Sequence, residues 1–373
     1  MSRASLAVAD RRTQRAAVVG ALHEAPMSRS ALVERFGVSS PLITRVVRSL
    51  IDDGVIRELG PSPQTVGRPA MRLEVNRHFG AIIAASCTAD AMHLRSSDLH
   101  DIDLDERRTP LASGPVEPER FVDEVVALAR RTPRALAIGV SVPGVVDVDT
   151  GNVSAAPDLG WDAPVPLRDM VRERTGLPVT IDNDVNLMMM AEHHSLRGAD
   201  HENAAYLFLG ARGIGAGIIA SGTLMRGAHG AAGEIGLVPL PIADADIDLE
   251  DAASATAIAH RLERAGYDAG DDPIATLLTL ADAGEAAAVR VRSDLIDTFG
   301  YAITLLSAIV NPSLVLLGGR AQQLRESERA AIAAAVSDRL PFHPVLEFAR
   351  ASPDSVLDSA RHRAWAHALT GGL

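Results

Sequence analysis

The chain has 373 residues, 47% of them hydrophobic, a formal net charge of −12 and a mean hydropathy of +0.11. These figures exclude both a disordered chain and one small domain, and they predict two or three globular domains with substantial cores. All 36 basic residues are arginine and the one cysteine is Cys87, which excludes an internal disulfide, a cysteine-rich zinc site and catalysis by a lysine amine.

Charge is divided unevenly. Residues 1–80 carry twelve arginines and seven acids, whereas the remainder carries 24 arginines and 41 acids. A basic head on an acidic body suits a polyanion that only the head approaches. No apolar run reaches the length of a membrane span, since "YAITLLSAIV" is flanked by charge and ends at Asn311-Pro312. The N-terminal stretch lacks the apolar core and small-residue cleavage site of a secretion signal, which points to the cytoplasm and to no membrane partner.

Residues 11–58 read as three short helices. The first, "RRTQRAAVVGALHEA", ends near Pro26. The second, "SRSALVERFG", opens on a capping serine, Ser28, and stops at Gly37. The third, in "SSPLITRVVRSLIDDG", follows a three-residue turn, and its Ile43, Val46, Val47, Leu50 and Ile51 recur at the spacing of one buried helical face. Ser39, Ser40, Pro41, Thr44, Arg45 and Arg48 lie at its start and on the opposite face. This pattern predicts a helix-turn-helix whose second helix enters the major groove of double-stranded DNA. "VIRELGPSPQTVGRPAMRLEVN" then reads as strand, turn and strand, a wing with Arg68 at its tip for the narrow minor groove. The alternative is a small helical oligomerisation module.

From about residue 79 the pattern becomes strands alternating with helices. "GAIIAASC" and "ALAIGVSVPG" are β-prone and flank the helical "PERFVDEVVALARR". "VTIDND" leads into "VNLMMMAEHHSLRG", and "AAYLFLGARGIGAGIIASG" reads as a hairpin turning on glycines. "AITLLSAIVNPSLVLLGGR" is a helix, a buried strand and a tight Gly-Gly turn. The alternation implies an α/β body of two lobes.

Four body segments carry a resemblance: "GVSVPGVVDVDTGNVSAAPDLGW" (139–161), "IDNDVNLMMMAE" (181–192), "GIGAGIIASGTLMRGAHGAAGEIG" (213–236) and "NPSLVLLGG" (311–319). With the helix-turn-helix segment and "VGRPA" before them, they resemble the ROK family of repressors, open reading frames and kinases, in its regulator branch. The resemblance implies an N-terminal winged helix-turn-helix at 1–78 and an actin/hexokinase-like body with lobes at 79–197 and 198–373, the C-terminal helix packing back on the first lobe. It also implies a sugar-contacting set in the interlobe cleft at Asn183, Asp184, Glu234 and Glu250, and association as a homodimer or homotetramer.

The departures from the family matter as much. Where the family's kinases carry an Asp-x-Gly-x-Thr-like phosphate turn, this chain has Ser86, Thr88 and Asp90, and Arg212 stands before Gly213-Ile-Gly215 where kinases tend to have threonine. Phosphoryl transfer needs backbone amides around the phosphates, and half of that cradle is missing. Leu237 replaces the histidine of the family's structural zinc, and its cysteine segment has no cysteine here, so no metal or other cofactor is expected. The reading is a DNA-binding transcriptional regulator without kinase activity, with a sugar or sugar-derived effector as candidate ligand. Two alternatives stand: a sugar kinase bearing a DNA-binding head, and a DNA-binding protein with an inert body in which the cleft residues only cap helices or hold loops.

Overall fold

The computed structural model describes residues 9–61, 71–112, 114–196, 201–241, 247–352 and 354–371. The head opens with α1 (Arg11–Glu24), capped by Asp10, whose carboxylate accepts from the Thr13 amide at 2.8 Å. Met27–Ser28 form a short strand, β1, before α2 (Arg29–Phe36), which Ser28 caps and which ends at Gly37 in the left-handed region, φ 62°. After Gly37-Val38-Ser39 comes α3 (Ser40–Asp52), which buries Ile43, Val46, Val47 and Leu50 as the spacing predicts and leaves Ile51 half-buried. Strands β2 (Ile56–Pro61) and β3 (Met71–Val75) pair antiparallel, with β1 on the other side of β3, which completes a winged helix. The sequence did not point to β1, because two residues are too few to show a period. Arg68 and the rest of the wing tip lie outside the described residues.

The body uses one topology twice. In the first lobe β4 (Ala81–Cys87), β5 (Ala91–Asp98) and β6 (Asp103–Pro110) form an antiparallel meander. After α4 (Pro118–Arg131), β7 (Ala135–Val142) adds in parallel beside β4. A small hairpin follows, β8 (Val145–Asp147) with β9 (Asn152–Ala155), then α5 (Leu167–Thr175) and β10 (Val179–Asn183), which closes the order β10-β7-β4-β5-β6. The chain passes from β10 straight into α6 (Asp184–Ser195). The second lobe repeats the pattern: β11 (Ala204–Leu209), β12 (Ile214–Ala220) and β13 (Thr223–Met225) form the meander, and β14 and β15 extend it in parallel beyond β11. Between β13 and β14 lie α7 (Leu249–Ala253), α8 (Ala255–Arg264), α9 (Pro273–Asp282) and α10 (Ala286–Val310), and between β14 (Leu314–Gly319) and β15 (Val345–Phe348) lies α11 (Glu326–Ser337).

By length and composition α10 is apolar enough to cross a membrane, contrary to the sequence reading, which stopped at the run "YAITLLSAIV". The structure gives it a different use. Leu295, Phe299, Ile303 and Leu306 are buried in the second lobe's core with Leu207, Val315 and Leu317 from the sheet.

The last helix, α12 (Ser355–Gly371), lies across β4, β7 and β10 of the first lobe and against α1 of the head. It sits so close to the sheet that a Cβ on Gly139 would stand 2.1 Å from the Ala360 carbonyl oxygen. Its far end joins the head's core: Ala364, Trp365, Ala368 and Leu369 pack in one cluster with Val18, Leu22, Leu50 and Leu73. Polar contacts cross the same junction. The His100 Nε2 and the Val75 carbonyl oxygen are 2.7 Å apart, and Arg77 pairs with Asp98 at 3.2 Å.

Candidate functional site

The head presents one face with the chemistry of a polyanion contact. Ser39, Ser40, Pro41, Thr44, Arg45 and Arg48 are all exposed, because the spacing that buries Ile43, Val46 and Val47 turns them outward. Pro41, in the first turn of α3, has no amide proton to lose and presets the helical φ. Arg11 of α1 lines the same concavity and donates to Ser49 Oγ at 2.9 Å. Asp53, at the far end, is held by Arg15 at 2.5 Å. Among the described residues neither Arg45 nor Arg48 is paired with an acid, so both guanidinium groups face outward available to a ligand.

The second site is a cleft of about 250 Å³ between the lobes. It brings together all four residues that the resemblance singled out: Asn183, Asp184, Glu234 and Glu250 line it with Asp158, Arg212 and Phe208. Each is placed by local structure. Asn183 ends β10 and caps α6, its Oδ1 accepting from the Asn186 amide at 3.0 Å while its Nδ2 donates to the Gly144 carbonyl at 2.8 Å. Asp184 accepts from the Val185 amide at 2.8 Å. Glu250, in the first turn of α7, accepts from the Ile214 amide at 3.0 Å and so ties α7 to the start of β12. Glu234 sits just before a 3₁₀ turn, Ile235–Leu237.

Four carboxylates, Asp158, Asp184, Glu234 and Glu250, share this cleft with one arginine, Arg212. Burial pushes the Asp184 carboxyl up to about 6, opposed by its backbone hydrogen bond and assisted by Asp158. Burial also raises Glu234, with Glu250 and Asp184 adding to it, and raises Glu250 and Asp158; the Arg212 guanidinium opposes the rise at Asp158. Carboxylates held in this way accept hydrogen bonds from hydroxyl groups, and they repel phosphates.

Beneath the cleft lies a contact that the sequence did not disclose. Asp182, 1% exposed, receives Arg226 from the second lobe and Arg363 from α12, each at 2.7 Å on the same carboxylate oxygen. The partners are 44 and 181 residues away, so no local pattern reveals them.

The glycine-rich hairpin has a packing role. Gly210 and Gly213 close the turn between β11 and β12 through an amide-to-carbonyl bond of 2.9 Å. Gly217 lets α6 lie against β12, where a Cβ would stand 2.6 Å from that of Met189. On the first lobe, the turn between β4 and β5 is closed by Thr88, whose hydroxyl bonds the Ala91 carbonyl and amide, both at 3.2 Å. The zinc of the resemblance does not fit these residues: Leu237 offers no ligand atom, and the stretch 241–261 contains no cysteine; residues 242–246 lie outside the described residues. Backbone pairing holds this region instead, Leu240 with Ile247 and Leu249 with Val238, and Leu249 is fully buried.

The ROK family model matches residues 104–357. A xylose repressor of Caldicellulosiruptor bescii is 26% identical over 319 residues, covering 79% of each chain. A glucokinase of Halalkalibacterium halodurans is 33% identical over 203 residues, 49% of this chain and 61% of that one. Among solved structures, a ROK family transcriptional regulator, a homologue of the E. coli MLC protein, superposes with a TM-score of 0.80 at 23% identity, over 96% of this chain and 98% of that one. The likeness to that glucokinase covers about half of this chain and the likeness to the xylose repressor 79% of it, while the fold likeness to the regulator structure extends over 96%. The chain belongs to the ROK family.

Proposed function

We propose that the chain is a DNA-binding transcriptional regulator that acts as a homodimer or homotetramer on a double-stranded operator and responds to a sugar or sugar-derived effector in the interlobe cleft. The observation that carries this reading is the outward face of α3, with Thr44, Arg45 and Arg48 beside Arg11, on a head whose core is continuous with the last helix of the body. A winged helix reads a short half-site, so two copies related by symmetry supply usable specificity. The body acts as a sensor without kinase activity. Its first phosphate turn is closed by Thr88 and carries Asp90, and its cleft is small and acidic, which suits one sugar and opposes a nucleotide triphosphate.

Coupling follows from two elements that reach both sites. Helix α6 begins in the cleft at Asp184 and packs along α12, where its His194 stacks on His362, and α12 holds Asp182 through Arg363 while its far end packs on α1. A ligand that bridges Asn183 and Asp184 to Glu234 and Glu250 favours the closed lobes, and closure moves Arg226 against the Asp182–Arg363 pair. The shift in DNA affinity equals the effector's difference in affinity for the two states.

The test is a fluorescence-anisotropy titration of the full chain with genomic operator fragments. Arg45→Ala with Arg48→Ala weakens binding by about 2–6 kcal/mol, at roughly 1–3 kcal/mol per contact, and each lost phosphate contact lowers the salt slope by about 1. Unchanged affinity and slope in the double variant contradict the reading, as does ATP-dependent phosphorylation of any hexose by the parent chain.

A further inference from the structure

At the junction of head and body stands a cluster of side chains that neither the DNA-binding face nor the cleft employs. His23 comes from the last turn of α1, Asp101 from the turn between β5 and β6, and His362 from α12. One ligand atom from each lies within 4.8 Å of the others. The His23 and His362 rings meet edge to face at 5.8 Å, and His194, at the end of α6, stacks on His362 at 6.0 Å. His23 Nε2 is buried, faces Asp101 Oδ1 at 3.5 Å and makes no hydrogen bond among the described residues. Asp101 is held in the left-handed region, φ 66°, and its carboxylate points into the cluster.

We propose that His23, Asp101 and His362 form a site for a borderline divalent transition metal of the zinc, cobalt or nickel kind that clips the head to the body, with solvent as the fourth ligand. Two imidazoles and one carboxylate are a donor set such ions take, and ligand atoms around a tetrahedral ion stand about 3.3 Å apart. The ligand atoms, within 4.8 Å of one another, must draw in by up to about 1.5 Å to reach that spacing, and His362 and Asp101 are exposed enough to admit a hydrated ion.

Arg361 fills the cationic role in this structure. Its guanidinium bonds Asp101 and also donates to His362 Nε2 at 2.6 Å. A metal ion takes over both partners, and Arg361 turns toward Asp358 and Asp103, whose charges already act on it. The exchange replaces a guanidinium bridge between body elements with a bond set that includes the head's own His23. Since His23 is the one ligand from the head, the ion fixes the head's orientation, and α6 joins the clip to the cleft through the stacking of His194 on His362. The metal site does not depend on the functional reading; its effect on DNA binding does.

The experiment uses the full chain, freed of metal by chelation, with cobalt chloride and then zinc chloride as probes. Cobalt gives one equivalent per protomer with the intense visible absorption of a tetrahedral site, and zinc displaces it. Removing a metal's outer-shell partner alone costs 10–100-fold, so His23→Gln and His362→Gln each weaken cobalt binding by at least tenfold. Arg361→Gln tightens it by removing the competitor. Should His362→Gln fail to fold, His23→Gln at the rim of the head decides the matter. Absence of the tetrahedral band, or equal binding by the parent and His23→Gln, overturns the site. If the site stands and zinc leaves operator affinity unchanged in the parent, the metal does not orient the head; if an operator is never bound, the functional reading fails and the metal site survives.

Discussion

Asp184 shows how one side chain links stability to ligand chemistry. Its folded carboxyl ionises at about 6, against 3.8 for the unfolded reference, because burial disfavours the charge. The folded state therefore holds this proton more tightly than the unfolded chain. Its contribution is fully present below about pH 4 and is lost as pH rises through about 6. Asp184→Asn keeps the acceptor for the Val185 amide and removes the charge. The variant is predicted to match its parent in thermal unfolding near pH 4 and to gain on it between pH 4 and 7, by up to about 3 kcal/mol. A difference that stays constant across that range contradicts the buried-charge account. The residue scale also shows what the sequence could not disclose. Asn183, Asp184, Glu234 and Glu250 were legible through motifs, and the structure gathers them in one cleft. Asp182 sits in the same motif, yet its meaning lies in Arg226 and Arg363, which come from another lobe and from the final helix.

Among elements, the head was the most legible. Its helices are bounded by local chemistry, Ser28 and Gly37 above all, and its buried face follows the helical period. Helix α12 was the least legible through periodicity: Asp358, His362, Ala366 and Thr370 leave one narrow exposed stripe, and the buried remainder mixes Leu357, Ala360, Ala364 and Trp365 with a charged side chain, Arg361. A buried arginine opposite exposed alanine and histidine blurs the apolar stripe that hydropathy alone would reveal. The family resemblance placed it on the first lobe, but nothing in the sequence shows its union with the head's core. Gly139 tests that packing. With the Ala360 carbonyl oxygen 2.1 Å from where a Cβ would stand, Gly139→Ala forces α12 away from β7. The expected cost is about 1–3 kcal/mol of stability, with looser attachment of the head read as increased protease sensitivity near residue 76. A variant as stable as its parent shows that α12 has room to move, and α12 then transmits nothing.

At the scale of the whole molecule, two lobes of one topology enclose a cleft, and a basic head rides on the helix that closes the first lobe. The acidic body and the basic head divide the labour, since the one repels DNA and the other attracts it. On the proposed reading, a cleft occupant changes how the head holds DNA. The most direct measurement is the operator dissociation constant of the full chain with and without each member of a sugar panel, in the parent and in Asp184→Asn with Glu234→Gln. One sugar is expected to shift the parent's constant by roughly 5–150-fold, the range of a coupling of about 1–3 kcal/mol. The double variant is expected to bind the operator as the unliganded parent does and to lose that shift. An equal shift in both proteins, or a parent that no sugar shifts, contradicts the proposed reading.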